Sequence, residues 1–204
     1  MDFHCAPGAT SPDPDEAAGL IPGHIVTQGA LNEWEQTNIL EGAQWVLRQN
    51  KRELPDEAFV RELHRRMFGK TWKWAGSFRQ TDKNIGVDWR QISVQLRNLL
   101  DDVGAQIAGQ TYPADELALR FHHRLLWIHP FANGNGRHAR LMTDWLIRRL
   151  GQPAFTWGGA SLMTAGNTRQ AYLEALRAAD GRDYRLLLKF ARDITGDGEF
   201  SPAL

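Results

Sequence analysis

Apolar side chains recur at near-helical spacing from residue 29 to the last helix the pattern predicts. Leu31, Trp34, Ile39, Ala43, Val46 and Leu47 predict a helix over 29–49. Pro55 suits the first turn of a second helix; Phe59, Leu63 and Met67 continue it at i, i+4 and i+8, and Gly69 stops it. Residues 72–87 break the period. Trp72, Trp74, Phe78, Ile85 and Val87 favour strand and Asp82-Lys83-Asn84 favours a turn, which predicts a short hairpin or flap. Asp88 is a good N-cap, with Gln91 three positions on, for a long helix with a stripe of Ile92, Leu96, Leu99, Leu100, Val103 and Ile107. A helix from Pro113 carries Leu117, Phe121, Leu125 and Ile128 on one face, and another over 137–150 ends at Gly151 and Pro153. Two last helices over 166–179 and 182–194 flank Gly181. The predicted class is all-α with one short β-hairpin flap. Residues 1–28 have no period and are rich in Pro, Gly, Ala and Asp, which predicts a loose arm; the alternative is an extended segment docked through Leu20, Ile21, Ile25 and Val26.

Composition narrows this. The chain has 204 residues, enough for one compact domain with a real core. Lys plus Arg is 24 and Asp plus Glu is 24, so there is no basic excess for a general nucleic-acid coat. The single cysteine, Cys5, allows no internal disulfide and fits a reducing compartment. No apolar run nears the roughly 18 residues needed to cross a bilayer, and the start lacks the basic and apolar regions of a signal peptide. The expectation is a soluble cytoplasmic protein that contacts neither membrane nor nucleic acid.

One stretch carries the chemistry: Ile128-His129-Pro130-Phe131-Ala132-Asn133-Gly134-Asn135-Gly136-Arg137-His138-Ala139-Arg140. Asn133-Gly134-Asn135-Gly136 is a turn with two residues free to take positive φ, leading straight into a helix. Such a turn aims successive backbone N–H groups at one point, where the helix dipole adds positive potential. Arg137 and Arg140 lie i, i+3 in the first turns. Cations there oppose the macrodipole, so an anion is expected to offset them, and guanidinium forks match phosphate oxygens. His129 lies across the same turn and can act as a general base. No Lys-Ser/Thr follows the glycines, so this is not a P-loop.

Residues 129–140 resemble the signature of Fic (Fido-fold) proteins. The likeness extends over most of 29–194. Trp74-Ala75-Gly76-Ser77-Phe78-Arg79 is similar to the start of the Fic flap, and Asn167 through Tyr172-Leu173-Glu174-Ala175-Leu176 to the nucleotide-side helix. The arm with Leu31-Asn32-Glu33-Trp34-Glu35 is similar to the mobile mystery protein B subgroup. The resemblance implies transfer of AMP from ATP to a Ser, Thr or Tyr hydroxyl of a target protein, releasing pyrophosphate. It implies His129 as the base, Phe131 as the loop's core anchor, and Gly134, Asn135 and Gly136 as the phosphate cradle. Arg137 and Arg140 would meet the β- and γ-phosphates, and Asn167 and Tyr172 would contribute to the nucleotide pocket. Asn133 stands where relatives bind Mg²⁺, usually through a carboxylate, and a neutral carbonyl binds that ion more weakly. Lys83, Asn84, Ile85, Gly86 and Val87 would hold the target chain by strand addition.

Thr37-Asn38-Ile39-Leu40-Glu41-Gly42 matches the pattern of a Fic inhibitory helix, [ST]xxxE[GN]. The resemblance implies that Glu41 pairs with Arg140 in place of the γ-phosphate, with Thr37 one turn earlier orienting it. In some relatives the same Glu aligns a water that removes AMP again, so reversal is open. The implied organisation is an arm at 1–28, an inhibitory helix at 29–50, a Fic domain at 51–196 and a tail at 197–204. Two alternatives stay open: a weakly active or inactive nucleotide-binding module of regulatory or antitoxin-like kind, and an enzyme with another nucleotide donor. The target, including the protein itself, and a homodimer are equally open. His122 and His123 lack a second pair at zinc spacing and read as packing or hydrogen-bonding residues, His138 as solvent-facing, and most of the tryptophans as core.

Overall fold

The computed structural model of the chain describes residues 14–25, 27–159, 162 and 166–193. Cys5, Val26 and the tail at 197–204 lie outside the described residues. In chain order the helices are α1 (Pro14–Ala17), α2 (Gln28–Leu47), α3 (Glu57–Phe68), α4 (Ile92–Ala108), α5 (Ala114–Ile128), α6 (Asn135–Arg149), α7 (Asn167–Asp180) and α8 (Arg185–Arg192). None of them is long and apolar enough to cross a membrane.

Local chemistry sets the helix starts. Thr27 Oγ1 accepts from the Ala30 N–H at 3.2 Å and opens α2. Asp56 caps α3 by accepting from the Phe59 N–H at 2.7 Å, so Pro55 lies one residue before the cap rather than in the first turn. Asp88 does accept from the Arg90 N–H at 2.8 Å, but it caps a single 3-10 turn, Trp89–Gln91, that feeds α4.

The antiparallel pair α5–α6 lies at the centre because both helices face two apolar clusters. On one side Phe121, Leu125, Ile128, Met142 and Leu146 meet Leu31, Ile39 and Val46 of α2, Phe59, Leu63 and Met67 of α3, and Leu96 of α4. On the other, Leu119 and Ile147 meet Trp157, Tyr172, Leu187 and Phe190. The turn joining α5 to α6 is therefore clamped between two packed bodies, which suits a site whose groups must not drift. Trp72, Trp145 and Trp157 are core, whereas Trp34 and Trp127 are exposed.

Two expectations are corrected. The flap is not a strand pair: among the described residues there are only isolated bridges, Leu20 with Trp72 and Phe78 with Phe131. The cause is Arg79, a buried side chain that ties 79–88 to the chain instead of leaving a ladder. Its Nε donates to the His129 carbonyl and its Nη1 to the Thr81 carbonyl, both at 2.7 Å, and its Nη2 to the Val87 carbonyl. The arm is also not loose over 14–25. Ile25 and Pro22 are buried, the Ile21 N–H donates to the Thr71 carbonyl at 2.8 Å, and the Glu16 carboxylate pairs with Lys83 at 2.7 Å. The docked alternative describes this segment.

Four histidines are buried, and burial holds each imidazole neutral. His122 is pushed down to about 3, His129 and His138 to about 4, and His64 well below its usual value. Below about pH 6.5 the unfolded chain takes up protons that the folded chain refuses, so stability falls as pH drops toward those folded values. Each such group contributes about 1.4 kcal/mol per pH unit in that window. Asp144, raised to about 6 by burial, opposes them, losing stability as pH rises through its own range. The histidines outnumber it, so the urea midpoint falls steeply between about pH 6.5 and pH 4.5. A midpoint that stays level there would mean that these imidazoles titrate as if in water.

Candidate active site

His129 ends α5 in the left-handed conformation, φ 52°, which reverses the chain into the turn. Phe131 is fully buried and anchors the turn by stacking on His64, with ring centroids 3.7 Å apart. His64 donates from Nε2 to the Asn133 carbonyl at 3.0 Å, and its Nδ1 accepts from the Gly76 N–H at 3.0 Å. One neutral imidazole thus joins the turn to the base of the flap. Asn135 closes the turn on itself: its Oδ1 accepts from the Phe131 N–H at 2.9 Å and its Nδ2 donates to the Phe131 carbonyl at 2.8 Å. Its side chain is therefore a brace, and only its backbone is left for a ligand.

Gly134 begins α6 at φ 77°, and a Cβ there would meet the Phe68 ring at 2.5 Å, so both conformation and space demand glycine. No side chain caps α6. Its first N–H groups, beside Gly136, are the orphan donors that every helix start leaves. Arg137 leaves this first turn and lies over the Phe68 ring at 4.8 Å. Arg140, one turn on, is buried and faces the Tyr172 hydroxyl; burial lowers its proton affinity, and the field of Arg137 adds to that.

His129 is 6% exposed under the flap. Desolvation is the largest cause of its depressed pKa, followed by the charge of Arg79, while a backbone hydrogen bond at Leu126 works the other way. The imidazole is unprotonated at neutral pH and can accept a proton. Asn133 Oδ1 accepts from the Gly134 N–H, so the side chain serves its own turn. Among the described residues no three His, Cys, Asp or Glu side chains gather into a metal site. The protein's own oxygens here do not make a resident magnesium centre, because that ion needs hard anionic ligands in number.

The expected Glu41–Arg140 pair is absent. Glu41 is exposed and both its oxygens accept from Lys70 Nζ, at 2.7 and 2.6 Å. Thr37 Oγ1 donates to the Glu33 carbonyl at 3.2 Å. Helix rotation is the reason. Leu31, Glu35, Asn38, Ile39, Gly42 and Val46 face inward, and Gly42 sits where α2 crosses α3, since a Cβ there would meet Met67 Cγ at 2.7 Å. One position before that crossing, Glu41 points to solvent. The acid that reaches the turn is Glu35, which sequence reasoning missed. It is buried, its Oε2 accepts from Arg137 Nη1 at 2.6 Å, and its Oε1 accepts from Trp72 Nε1 at 2.6 Å. Its spacing of four residues from both Leu31 and Ile39, on an otherwise apolar stripe, was the available signal.

His138 is not at the surface: it is buried and donates from Nε2 to the Val60 carbonyl at 2.9 Å. His122 and His123 hydrogen-bond as expected. Asn167 starts α7 and is exposed, whereas Tyr172 is buried beside Arg140. Lys83 is drawn in by Glu16, and Asn84, Ile85 and Gly86 are exposed next to it. Val87 is half-buried, and its N–H donates to the Ile128 carbonyl at 3.4 Å.

Comparison with known proteins agrees with this geometry. Residues 54–147 match the Fic/DOC family. The protein adenylyltransferase Fic of Drosophila willistoni is 28% identical over 141 residues, covering 67% of this chain and 27% of that protein. The chain thus spans about a quarter of the length of the curated relatives it matches. Among solved structures, the BepC protein of Bartonella tribocorum with bound AMPPNP aligns with a TM-score of 0.65 at 18% identity, over 89% of this chain and 98% of that one. The N-terminal Fic domain of a Bartonella quintana Bep effector with bound ADP aligns with a TM-score of 0.66 at 19% identity, over 88% and 94%. The chain has the Fic fold.

Proposed function

We propose that the chain is a protein adenylyltransferase: it moves AMP from ATP to a hydroxyl of a target protein and releases pyrophosphate. The observation that carries the reading is the α5–α6 turn, where uncapped backbone N–H groups, two arginines and a neutral imidazole converge. ATP is the donor. Magnesium enters with it, because the chain offers one neutral side-chain oxygen, on Asn133, and the phosphates supply the rest.

In this reading the N–H groups of Asn135 and Gly136 receive the phosphates, joined by that of Gly134 once Asn133 Oδ1 releases it; Arg137 and Arg140 meet the β- and γ-phosphates, Tyr172 serves the nucleotide by backing Arg140, and Asn167 flanks the nucleoside. Nδ1 of His129 is buried, so Nε2 meets the target. It takes the proton as the target oxygen attacks the α-phosphorus, and the bond from that phosphorus to the β-phosphate oxygen breaks. The exposed residues Asn84, Ile85 and Gly86, with Lys83 and Val87, line the approach of the target segment. The helix α2 restrains the reaction through Glu35, whose carboxylate holds Arg137 as a phosphate would. Removal of AMP by the same site, a cytoplasmic location and assembly into a homodimer belong to this reading as extensions.

Intact-mass spectrometry of the full chain with MgATP, alone and with a hydroxyl-bearing protein mixture, tests it. A gain of one adenylyl group on the chain or on a mixture component is expected. Binding of ATP with no transfer to any protein would instead favour the regulatory module, for which the substitution of Asn for a carboxylate at 133 speaks.

A further inference from the structure

Behind the turn, buried polar groups form one hydrogen-bond chain whose direction is fixed at every step. Thr143 Oγ1 donates to the Ala139 carbonyl at 2.7 Å, so its proton is spent. Its lone pairs face His122 Nδ1 at 3.1 Å. The Ala139 carbonyl also meets this imidazole. Both neighbours of Nδ1 can only accept, so Nδ1 carries the ring proton and Nε2 is bare. The Tyr172 hydroxyl then donates to Nε2 at 2.8 Å. That leaves the Tyr172 oxygen with lone pairs alone, and it faces the Arg140 guanidinium. His122 and Thr143 are wholly buried, and the Trp157 ring backs the imidazole at 4.6 Å.

The electrical balance is as telling as the geometry. Arg137 has Glu35 as a counter-ion. Arg140 has no carboxylate in contact among the described residues; Asp144 acts on it only through its field. Arg140 is held by a neutral oxygen, so its charge stays uncompensated at short range and available to an anion. The arrangement works only while the imidazole is neutral, and burial keeps it so.

We propose that His122 is a positioning residue: by claiming the Tyr172 proton it keeps the Tyr172 oxygen turned toward Arg140 as an acceptor, and so aims that guanidinium at the terminal phosphate of the nucleotide. The proposal rests on the nucleotide reading above. Without Nε2 the Tyr172 hydroxyl rotates, and its proton opposes the cation it should hold.

The test is calorimetric titration of the full chain with ATP, AMP and inorganic triphosphate. His122→Phe keeps an aromatic ring against Trp157 and removes Nε2; His122→Gln keeps a neutral acceptor. Arg140 meets only the far phosphates, so His122→Phe weakens ATP and triphosphate about tenfold while AMP affinity holds, and His122→Gln recovers most of the loss. Equal losses for ATP and AMP would show a merely structural role and overturn the proposal, as would no loss. Should His122→Phe fail to fold, His122→Leu against His122→Gln makes the same comparison, because leucine likewise lacks an acceptor for the Tyr172 hydroxyl. A wild-type chain that binds none of the three ligands removes the nucleotide reading and this proposal with it. Wild-type binding with an unchanged ratio of ATP to AMP affinity in the variants removes this proposal alone.

Discussion

Replacing His129 with alanine lowers nucleotidyl transfer by about 10²–10⁴-fold, the range typical of a positioned general base. The imidazole lies under the flap, at the far side of the turn from Arg137 and Arg140, so its loss removes the proton acceptor and spares the phosphate contacts. ATP affinity therefore stays near wild type, and the defect falls on kcat in single-turnover assays. Because the folded pKa is about 4, the base is already unprotonated at neutral pH. The rate is flat from pH 8 to pH 6 and falls only as the pH approaches that value. An alanine variant that transfers AMP at the wild-type rate would sink the role given to His129.

Glu35→Gln raises nucleotide affinity and transfer together. Its carboxylate and an incoming phosphate compete for one guanidinium, and a coupling of about 1–3 kcal/mol corresponds to roughly 5–150-fold restraint. Glutamine keeps one acceptor oxygen, which Trp72 Nε1 can use, but removes the competing charge and the second oxygen that holds Arg137. Glu35→Ala is expected to release the site as well, at a cost in stability, because it leaves Trp72 Nε1 without that acceptor and Arg137 without its counter-ion. Glu41→Gly is the discriminating control. It breaks a solvent-exposed pair with Lys70, worth about 0–1 kcal/mol, and releases nothing. Titration calorimetry and labelled-AMP incorporation on the two variants separate the acids. A gain in Glu41→Gly with none in Glu35→Gln would restore the assignment that the sequence pattern implied.

That contrast marks how far the sequence could be read. The backbone of the turn was legible: two glycines before a helix and a histidine before them leave little freedom, because all of it is local. Phe131 as an anchor came from the family resemblance and not from a local pattern. The brace formed by Asn135 was not legible, since an asparagine beside a glycine reads equally as ligand or as turn lock until its partner is seen. The tie through His64 joins residues 69 positions apart. No local pattern announces it. The flap misread has another origin. A run of β-branched and aromatic residues predicts strands, yet Arg79 captures the carbonyls that a ladder would use.

The sequence by itself determined the long helices to within a few residues and the glycine turn between α5 and α6, because capping, periodicity and glycine conformation act over a few residues. Only the tertiary structure decided which acid meets which arginine and which histidines stay neutral. A helix turns about 100° per residue, so the single close crossing of α2 over α3 at Gly42 sends Glu35 inward and Glu41 to water, and nothing local in the chain sets that rotation.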